Sequence, residues 1–254
     1  MFVVFLVGTA GSGKSMLAAA LERWLVDTEI STTVVNLDPG VDAPPYTSDV
    51  DIREYVDYGE VITKFGLGPN GALVASMDMA ISHLPDIREE ILERETDYVI
   101  VDCPGQMELF AYRNSGPLFI TGLTGNEPAL SLYLLDSNIV RTPEGYLSST
   151  LLGLSISIRF GLPQLNILSK ADILEEEAIQ RIVKWSENTF QLEDALYNSA
   201  SGLTREYSQS ILRMLEELGG ATSLTPVSAK TRVGLEILYG HMQRIFMGGD
   251  NVYD

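Results

Sequence analysis

The sequence has 254 residues, of which 45% are hydrophobic, and this composition excludes a disordered chain and allows one large α/β domain. The formal net charge of −18 excludes a generic nucleic-acid-binding surface, because phosphate recognition needs clustered Lys and Arg. No apolar run approaches the ~20 residues of a membrane span, and the single Cys103 excludes an intrachain disulfide, so we expect a cytoplasmic protein with no membrane partner.

Apolar, β-branched runs alternate along the chain with segments of helical periodicity, and the strands are apolar without interruption. Such strands are buried on both faces, which predicts a doubly wound, mainly parallel sheet flanked by helices. The predicted strands are Phe2–Val7, Thr33–Leu37, Tyr98–Val101, Leu130–Leu135, Leu165–Leu168 and Leu224–Val227. The predicted helices are Lys14–Leu25, Ala72–Leu84, Ile87–Arg94, Gly145–Phe160, Glu175–Ser186, Thr204–Leu218 and Val233–Phe246.

The first predicted strand leads directly into Gly8-Thr9-Ala10-Gly11-Ser12-Gly13-Lys14-Ser15, the G-x-x-x-x-G-K-[ST] pattern of a phosphate-binding loop. Backbone N–H groups of such a loop surround a β-phosphate, Lys14 reaches the β- and γ-phosphate oxygens, and the Ser15 hydroxyl binds Mg²⁺. The strand-loop-helix context favours this interpretation over a chance glycine-rich turn. The predicted nucleotide contacts are Gly11, Ser12, Gly13, Lys14, Ser15 and Met16.

The second predicted strand is followed by Asp38-Pro39-Gly40. Asp38 has two interpretations: a turn or helix-capping carboxylate before Pro39, or a carboxylate that serves Mg²⁺ or positions the attacking water.

Two connections are long for a plain doubly wound sheet, at about 40–97 and 107–129. The first contains the stretch FGLGPNGAL, in which Pro69 fixes φ while Gly68 and Gly71 tolerate φ > 0, so we expect a compact, exposed turn. The plain alternative is a connector that ends one helix and starts the next. Both long connections carry too many apolar residues to be disordered, so we expect them to form a contact surface.

The third predicted strand ends at Asp102-Cys103-Pro104-Gly105-Gln106. At this edge of an open α/β sheet, Asp102 would hold Mg²⁺ through a water molecule, and Gly105 could offer its N–H to a γ-phosphate. Gln106 and Glu108 are further candidates for orienting the attacking water. Cys103 is interpreted as a small buried residue rather than a nucleophile.

The fifth and sixth predicted strands end in motifs that can read a guanine base: Ser169-Lys170-Ala171-Asp172 and Ser228-Ala229-Lys230. The Asp172 carboxylate can accept hydrogen bonds from guanine N1–H and N2–H₂, whereas adenine offers an acceptor at N1. Lys170 would lie along the base, and the Ala229 N–H would meet guanine O6. Three of the five lysines of this acidic chain, Lys14, Lys170 and Lys230, fall in the phosphate and base motifs.

The segments LDPGVDAPPY, DIREYV, GLGPNG, DCPGQMELF, SKAD and SAK together closely resemble the GPN-loop GTPases, over essentially the whole chain. The resemblance implies one P-loop NTPase domain over residues 1–254 that binds GTP and GDP with Mg²⁺ and works as a homodimer. It also implies that Pro69 and Asn70 reach across the dimer toward the phosphates of the other subunit, with Asn70 acting in catalysis. Ser169, in place of Asn, and Gly40, in place of a small aliphatic residue, depart from the family pattern.

The leading interpretation is therefore a Mg²⁺-dependent, homodimeric GTPase switch, which by analogy with the family serves unidentified protein clients in complex assembly. A metallocentre-assembly GTPase should carry Cys/His clusters, which this sequence lacks. A P-loop kinase would need a basic lid, for which Arg141 and Arg159 are candidates. A non-catalytic, nucleotide-gated interaction module would use Tyr46–Ser82 and Leu109–Thr124 as its working surface.

Overall fold

A computed structural model of the protein describes residues 1–199, 202–217 and 223–248. Its strands form one seven-stranded sheet in the order β3-β2-β4-β1-β5-β6-β7, and every neighbouring pair is parallel. The strands are β1 (Phe2–Gly8), β2 (Thr32–Asn36), β3 (Val50–Asp51), β4 (Tyr98–Asp102), β5 (Ala129–Asp136), β6 (Gln164–Ser169) and β7 (Leu224–Val227).

Helices cover both faces of the sheet, as the uninterrupted apolar strands predict. They are α1 (Lys14–Asp27), α2 (Tyr58–Phe65), α3 (Pro69–Ala80), α4 (Leu84–Glu93), α5 (Met107–Phe110), α6 (Ser115–Thr124), α7 (Pro143–Phe160), α8 (Glu176–Glu187), α9 (Thr189–Ser199), α10 (Leu203–Glu217) and α11 (Leu235–Phe246). None of the helices within the described ranges is long and apolar enough to cross a membrane.

The central strand β1 sends alternate side chains to two apolar cores. Val4 and Leu6 pack in the core beneath α1 and α11, which we call the α1 face. Val3 and Phe5 pack in the larger core on the opposite face, to which most of the other helices contribute. Because both faces are covered, β1 is fixed rigidly beneath the loop that follows it.

The predicted fold class is confirmed: the sheet is parallel throughout and lies between helices. All six predicted strands are present, and their ends differ from the prediction by at most one residue. The edge strand β3 was missed because its two residues are too few for a hydrophobic pattern; it pairs with Val35 and Asn36 of β2. The helices α2, α5, α6 and α9 were also missed, and Leu218, the predicted end of α10, lies outside the described residues.

The stretch around Gly68-Pro69-Asn70 is a junction between two helices. Gly66, at φ 61°, ends α2 in a left-handed conformation, and Pro69 is the first residue of α3. The left-handed residue is thus Gly66, whereas Gly68 has φ −77° and Gly71 lies within the helix, so the predicted use of φ > 0 at those two glycines is wrong. The stretch thus ends one helix and starts the next, with Pro69 at its favoured first helical position.

All strands point in the same direction, so the residues at their carboxyl ends meet at one edge of the sheet. This edge carries the loop after β1, Asp38 after β2 and Asp102 at the end of β4. It also carries the ends of β5, β6 and β7, at Asp136, Ser169, and Val227 before Ser228. Ligands of open α/β sheets bind at this edge.

Candidate functional site

The loop between β1 and α1 has the backbone of a phosphate cradle. Gly8, Gly11 and Gly13 have φ of 154°, 75° and 98°, and Gly13 sits left-handed immediately before α1. A residue with a side chain would be strained at Gly13, so glycine is needed to turn the chain into the helix. The free N–H groups of the first turn of α1 therefore face the loop and favour an anion.

Lys14 lies inside this loop and is almost fully buried. Its ammonium donates to the carbonyl oxygens of Gly8, at 3.0 Å, and Thr9, at 3.1 Å. Burial lowers the pKa of Lys14, and the carboxylates of Asp102 and Asp38 oppose this effect. The cation is thus already positioned in the loop that the sequence predicts for phosphate.

Asp102 provides a carboxylate that is suited to a metal ion. Its Oδ2 accepts a hydrogen bond of 2.8 Å from the Tyr46 hydroxyl, whereas Oδ1 is buried with no partner of good geometry in the described part of the chain. Burial raises the pKa of Asp102, while the nearby hydroxyls of Ser15 and Tyr46 and the Lys14 ammonium lower it. A buried carboxylate oxygen beside a serine hydroxyl is an oxygen donor set of the kind Mg²⁺ prefers, so the residues present fit this ion.

Asp38 joins two loops of the site. Its Oδ1 accepts from the Gly40 N–H at 2.9 Å, which is the turn interaction that one interpretation expected. Its Oδ2 accepts from the Gly105 N–H at 3.4 Å. A Cβ atom on Gly105 would lie 3.4 Å from Ala10 Cα and 3.8 Å from Lys14 Nζ, so this amide sits directly against the phosphate loop.

A buried polar network behind the site holds the backbone of Asp38. The Asn36 side chain accepts from the Asp38 N–H at 3.0 Å and donates to the Asp51 carboxylate, also at 3.0 Å. Asp51 in turn receives hydrogen bonds from the Arg53 guanidinium, which also donates to the carbonyl of Val41. Burial raises the pKa of Asp51, but the hydrogen bonds outweigh this effect and lower the pKa to about 2.

Pro69 and Asn70 lie exposed at the start of α3. The Tyr58 hydroxyl donates to the Pro69 carbonyl at 3.0 Å. A Cβ atom on Gly40 would lie 3.5 Å from Tyr58 Cζ, an ordinary van der Waals contact, so the tyrosine ring lies directly beside Gly40. Tyr58 therefore connects the Asp38 loop to the helix junction.

Gln106 is half-buried and directly precedes α5, one residue beyond Gly105. The side chain of Glu108, also predicted to orient water, lies outside the described part of the structure. Cys103 is fully buried, and burial raises the pKa of its thiol well above the ordinary value. The interpretation of Cys103 as a packing residue is confirmed.

A cleft opens beside the amino end of α1, between the loops after β6 and β7. It is lined by residues from the phosphate loop and both predicted base motifs, among them Gly13, Met16, Ser169, Lys170, Asp172, Ala229 and Lys230. Asp172 Oδ1 accepts a hydrogen bond of 2.6 Å from the Ser228 hydroxyl, which holds the carboxylate at the rim of the cleft. The two sequence motifs that predict a base site thus form one cavity.

Ser169 and Lys170 join the base cleft to the phosphate loop. The Ser169 hydroxyl donates to the Ser12 carbonyl at 2.8 Å, so this departure from the usual Asn retains a link between β6 and the loop. Lys170 Nζ donates to the Gly11 carbonyl and lies 2.8 Å from Asp136 Oδ2. Asp136 was missed, although the sequence carries the same signal as at Asp102: a carboxylate that ends an apolar run.

The two arginines considered as a kinase lid make other contacts. Arg159 lies in the last turn of α7 and donates to the Ala111 carbonyl at 2.5 Å. Because α7 leads to the amino end of β6, Arg159 lies at the edge of the sheet opposite the phosphate loop. Arg141 donates to the Ile173 carbonyl at 3.0 Å.

A cluster of metal-binding side chains, as a metallocentre-assembly GTPase should carry, was the other alternative. Among the described residues, no group of three or more His, Cys, Asp and Glu side chains could hold a metal ion.

Three features together define a P-loop nucleotide-binding protein: the G-x-x-x-x-G-K-[ST] loop after the central strand β1, a buried carboxylate at the end of the neighbouring strand β4, and a cleft beside the loop. A family model described as "Conserved hypothetical ATP binding protein" matches residues 6–248. The chain is 36% identical over 242 residues to GPN-loop GTPase PAB0955 of Pyrococcus abyssi and covers 94% of both proteins. It therefore belongs to the GPN-loop GTPase family.

A second relative and a crystal structure agree with this family assignment. The chain is 30% identical over 235 residues to GPN-loop GTPase 1 of Dictyostelium discoideum, and it spans 58% of that longer protein. The crystal structure of PAB0955, described as a GTPase in apo form, superposes with a TM-score of 0.84 at 35% identity and covers 96% of this chain and 97% of that one. The resemblance that the sequence motifs suggest is confirmed.

Proposed function

We propose that this GTPase is a Mg²⁺-dependent homodimeric switch that hydrolyses GTP to GDP and phosphate, with Pro69 and Asn70 acting across the dimer interface. The observation that carries the proposal is the convergence of Lys14, Asp102 and Asp38 at one edge of the sheet, with the base cleft immediately beside them. These are the charges that a nucleoside triphosphate and its metal ion require.

The metal would be held by the Ser15 hydroxyl and the carboxylates of Asp102 and Asp38. When bound, Mg²⁺ neutralises the charge that develops on the β- and γ-phosphate oxygens. Lys14 would exchange the Gly8 and Thr9 carbonyls for phosphate oxygens. Since both partners of Lys14 are neutral carbonyls, the exchange for an anion is favourable.

The switch would be the Gly105 N–H. It points to the Asp38 carboxylate at 3.4 Å, a long hydrogen bond that a γ-phosphate oxygen can replace. Asp38 would then be free to serve the metal or the attacking water, while Gln106 orients that water. After loss of the γ-phosphate, the Gly105 N–H would again donate to Asp38. The Gly105 N–H thus has two alternative acceptors, and the loop that carries Gln106 would have two corresponding arrangements.

Guanine recognition would rest on Asp172. Although the matching family description mentions ATP, a carboxylate at the rim of the cleft selects for the N1–H and N2–H₂ donors of guanine. Its partner Ser228 uses one lone pair of Oδ1, which leaves the other lone pairs for the base.

The exposure of Asn70 and of the nearby Phe65 supports action across a dimer interface. Asn70 faces solvent, and nearby Phe65 is 52% exposed at the end of α2, an apolar side chain that a second subunit could cover. Pro69 is fixed in the first turn of α3 and by Tyr58. Asn70 would therefore be presented to a partner at low entropic cost. Protein clients would bind other parts of the segments around 40–97 and 107–129.

The test is the dependence of turnover on Mg²⁺ and on protein concentration. Phosphate release from GTP should require Mg²⁺ and should be lost in Lys14→Ala. Turnover per subunit should also rise with protein concentration as dimers form, with the midpoint matching the dimer dissociation constant from sedimentation. Turnover per subunit that is constant across the monomer–dimer transition would contradict action across the interface, and turnover in EDTA would contradict the metal.

A further inference from the structure

Tyr46 is a buried tyrosine in the segment between β2 and β3. Only 8% of its surface is exposed, and its ring belongs to the apolar core on the α1 face. Its hydroxyl reaches out of this core and donates to Asp102 Oδ2 at 2.8 Å. A tyrosine from a separate segment of the chain therefore contacts the carboxylate that would hold the metal.

This hydrogen bond makes the two oxygens of Asp102 unequal. Oδ2 has a neutral donor that occupies it, while Oδ1 is buried and makes no hydrogen bond of good geometry among the described residues. The Ser15 hydroxyl lies near this carboxylate but makes no hydrogen bond of good geometry to Oδ1, and a buried carboxylate oxygen in this state is costly unless a cation takes it. Because the apolar core fixes the Tyr46 ring, its hydroxyl also fixes the rotation of the carboxylate about Cβ–Cγ.

We infer that Tyr46 is a positioning residue for the metal ion: its hydroxyl holds Asp102 by Oδ2 so that Oδ1 is the oxygen presented to Mg²⁺. The inference rests on the proposed function, since it assumes that Mg²⁺ binds at Ser15, Asp38 and Asp102. Removal of a group that hydrogen-bonds a metal-binding carboxylate typically lowers the metal affinity by about 10- to 100-fold. Tyr46 would act only through Asp102, which its hydroxyl contacts.

The experiment replaces only the hydroxyl, in Tyr46→Phe. The matched control is Tyr133→Phe, because Tyr133 is 1% exposed and its hydroxyl donates to the Ser149 carbonyl at 3.0 Å, away from the site. Binding of a fluorescent GDP analogue is titrated with Mg²⁺ and repeated in EDTA. We expect Tyr46→Phe to weaken Mg²⁺ binding by about 10- to 100-fold, with nucleotide affinity in EDTA unchanged.

Tyr133→Phe should leave the Mg²⁺ affinity at the parental value. If both variants bind Mg²⁺ as the parent does, Tyr46 is only a packing residue and the inference is wrong. If the parent itself binds GDP equally with Mg²⁺ and in EDTA, the proposed metal site fails, and the Tyr46 inference fails with it. These outcomes are distinguishable because the first concerns a difference between variants and the second concerns the parent alone.

A second measurement keeps the hydroxyl and does not depend on the stability of Tyr46→Phe. With 3-fluorotyrosine incorporated at position 46, the ¹⁹F resonance should shift when Mg²⁺ is added to the GDP complex, because metal binding at Asp102 weakens the hydrogen bond that its other oxygen accepts. The same label at position 133 should not respond. An unchanged resonance at position 46, under conditions where Mg²⁺ tightens GDP binding, would overturn the inference.

Discussion

Asp172→Asn tests whether the base cleft selects guanine. The substitution keeps the size of the side chain and exchanges one acceptor oxygen for an NH₂ donor. Ser228 can hydrogen-bond to an amide as well as to the carboxylate it contacts at 2.6 Å, so we expect the loops around the cleft to keep their structure. The change should therefore act on the bound base rather than on the fold.

The size of the effect follows from the lost hydrogen bond. A bond from guanine to a carboxylate is worth about 1.5 to 3 kcal/mol, and each 1.4 kcal/mol is roughly tenfold in affinity. GTP should therefore bind about 10- to 150-fold more weakly to the variant. A xanthine nucleotide should gain, because its O2 accepts from the new NH₂ group where guanine offers a donor.

Calorimetry with GDP, xanthosine diphosphate and ADP measures this change in both proteins. Glu175→Gln is the matched control, since it neutralises an exposed carboxylate three residues along the chain. Its nucleotide affinities should equal those of the parent. The reasoning is refuted if the parent binds ADP and GDP equally, or if Asp172→Asn weakens the guanine and xanthine nucleotides alike.

Three further predictions concern catalysis, acid stability and folding. Gln106→Ala should keep GTP affinity near the parental value but lower turnover by roughly 10- to 1000-fold in single-turnover assays, because water orientation matters only at the transition state. The Asp51 carboxylate, whose pKa is lowered from 3.8 to about 2, should stabilise the fold fully above pH ~4 to 5 and lose this contribution as the pH falls through 3.8 toward 2. At ~1.4 kcal/mol per pKa unit, the lowered pKa contributes about 2 kcal/mol to the free energy of unfolding. It is measured by urea unfolding, as the change with pH in the stability difference between the parent and Asp51→Asn. Asn70→Ala should keep the thermal midpoint within a few degrees, since its side chain is exposed.

Each of these has an outcome that contradicts it. Unchanged turnover in Gln106→Ala would move the water-orienting role to Asp38 or Glu108, and Asp38→Ala, which should lose affinity as well as rate, separates the two. A stability difference between the parent and Asp51→Asn that is constant from pH 7 to pH 3 would refute the lowered pKa. A large drop in the thermal midpoint of Asn70→Ala would give that residue a structural role.

The positions of the candidate site residues could be predicted from the sequence, because the position of a strand end is a local property. Once an apolar run is recognised, the residue after it is placed at the carboxyl edge of the sheet, and Asp38, Asp102 and Asp172 all follow this rule. Asp136 follows it as well and was overlooked. The base cleft could be predicted for the same reason, since both of its motifs follow apolar strands.

The residues that hold the site residues in place could not be predicted, because tertiary contacts determine their positions. Tyr46 and Arg53 come from a segment without helical or strand periodicity, and the two-residue β3 gives no signal of its own. The helix junction was misjudged for a related reason: Pro69 and Asn70 suit an isolated turn and the first turn of a helix equally well. Only the packing of α2 and α3 on the sheet decides between these two conformations.

The central claim, that Asn70 serves the site of the other subunit, is tested most directly by mixing two inactive variants. Asn70→Ala should lose about 2 to 4 kcal/mol of transition-state stabilisation, and Lys14→Ala should lose phosphate binding. In a mixed dimer, the site on the Asn70→Ala chain retains Lys14 and is met by the intact Asn70 of the other chain. Random exchange should therefore restore about a quarter of the parental activity per subunit. If subunit exchange is demonstrated with two affinity tags and no activity returns, every site in the mixture carries a defect, and Asn70 acts within its own subunit.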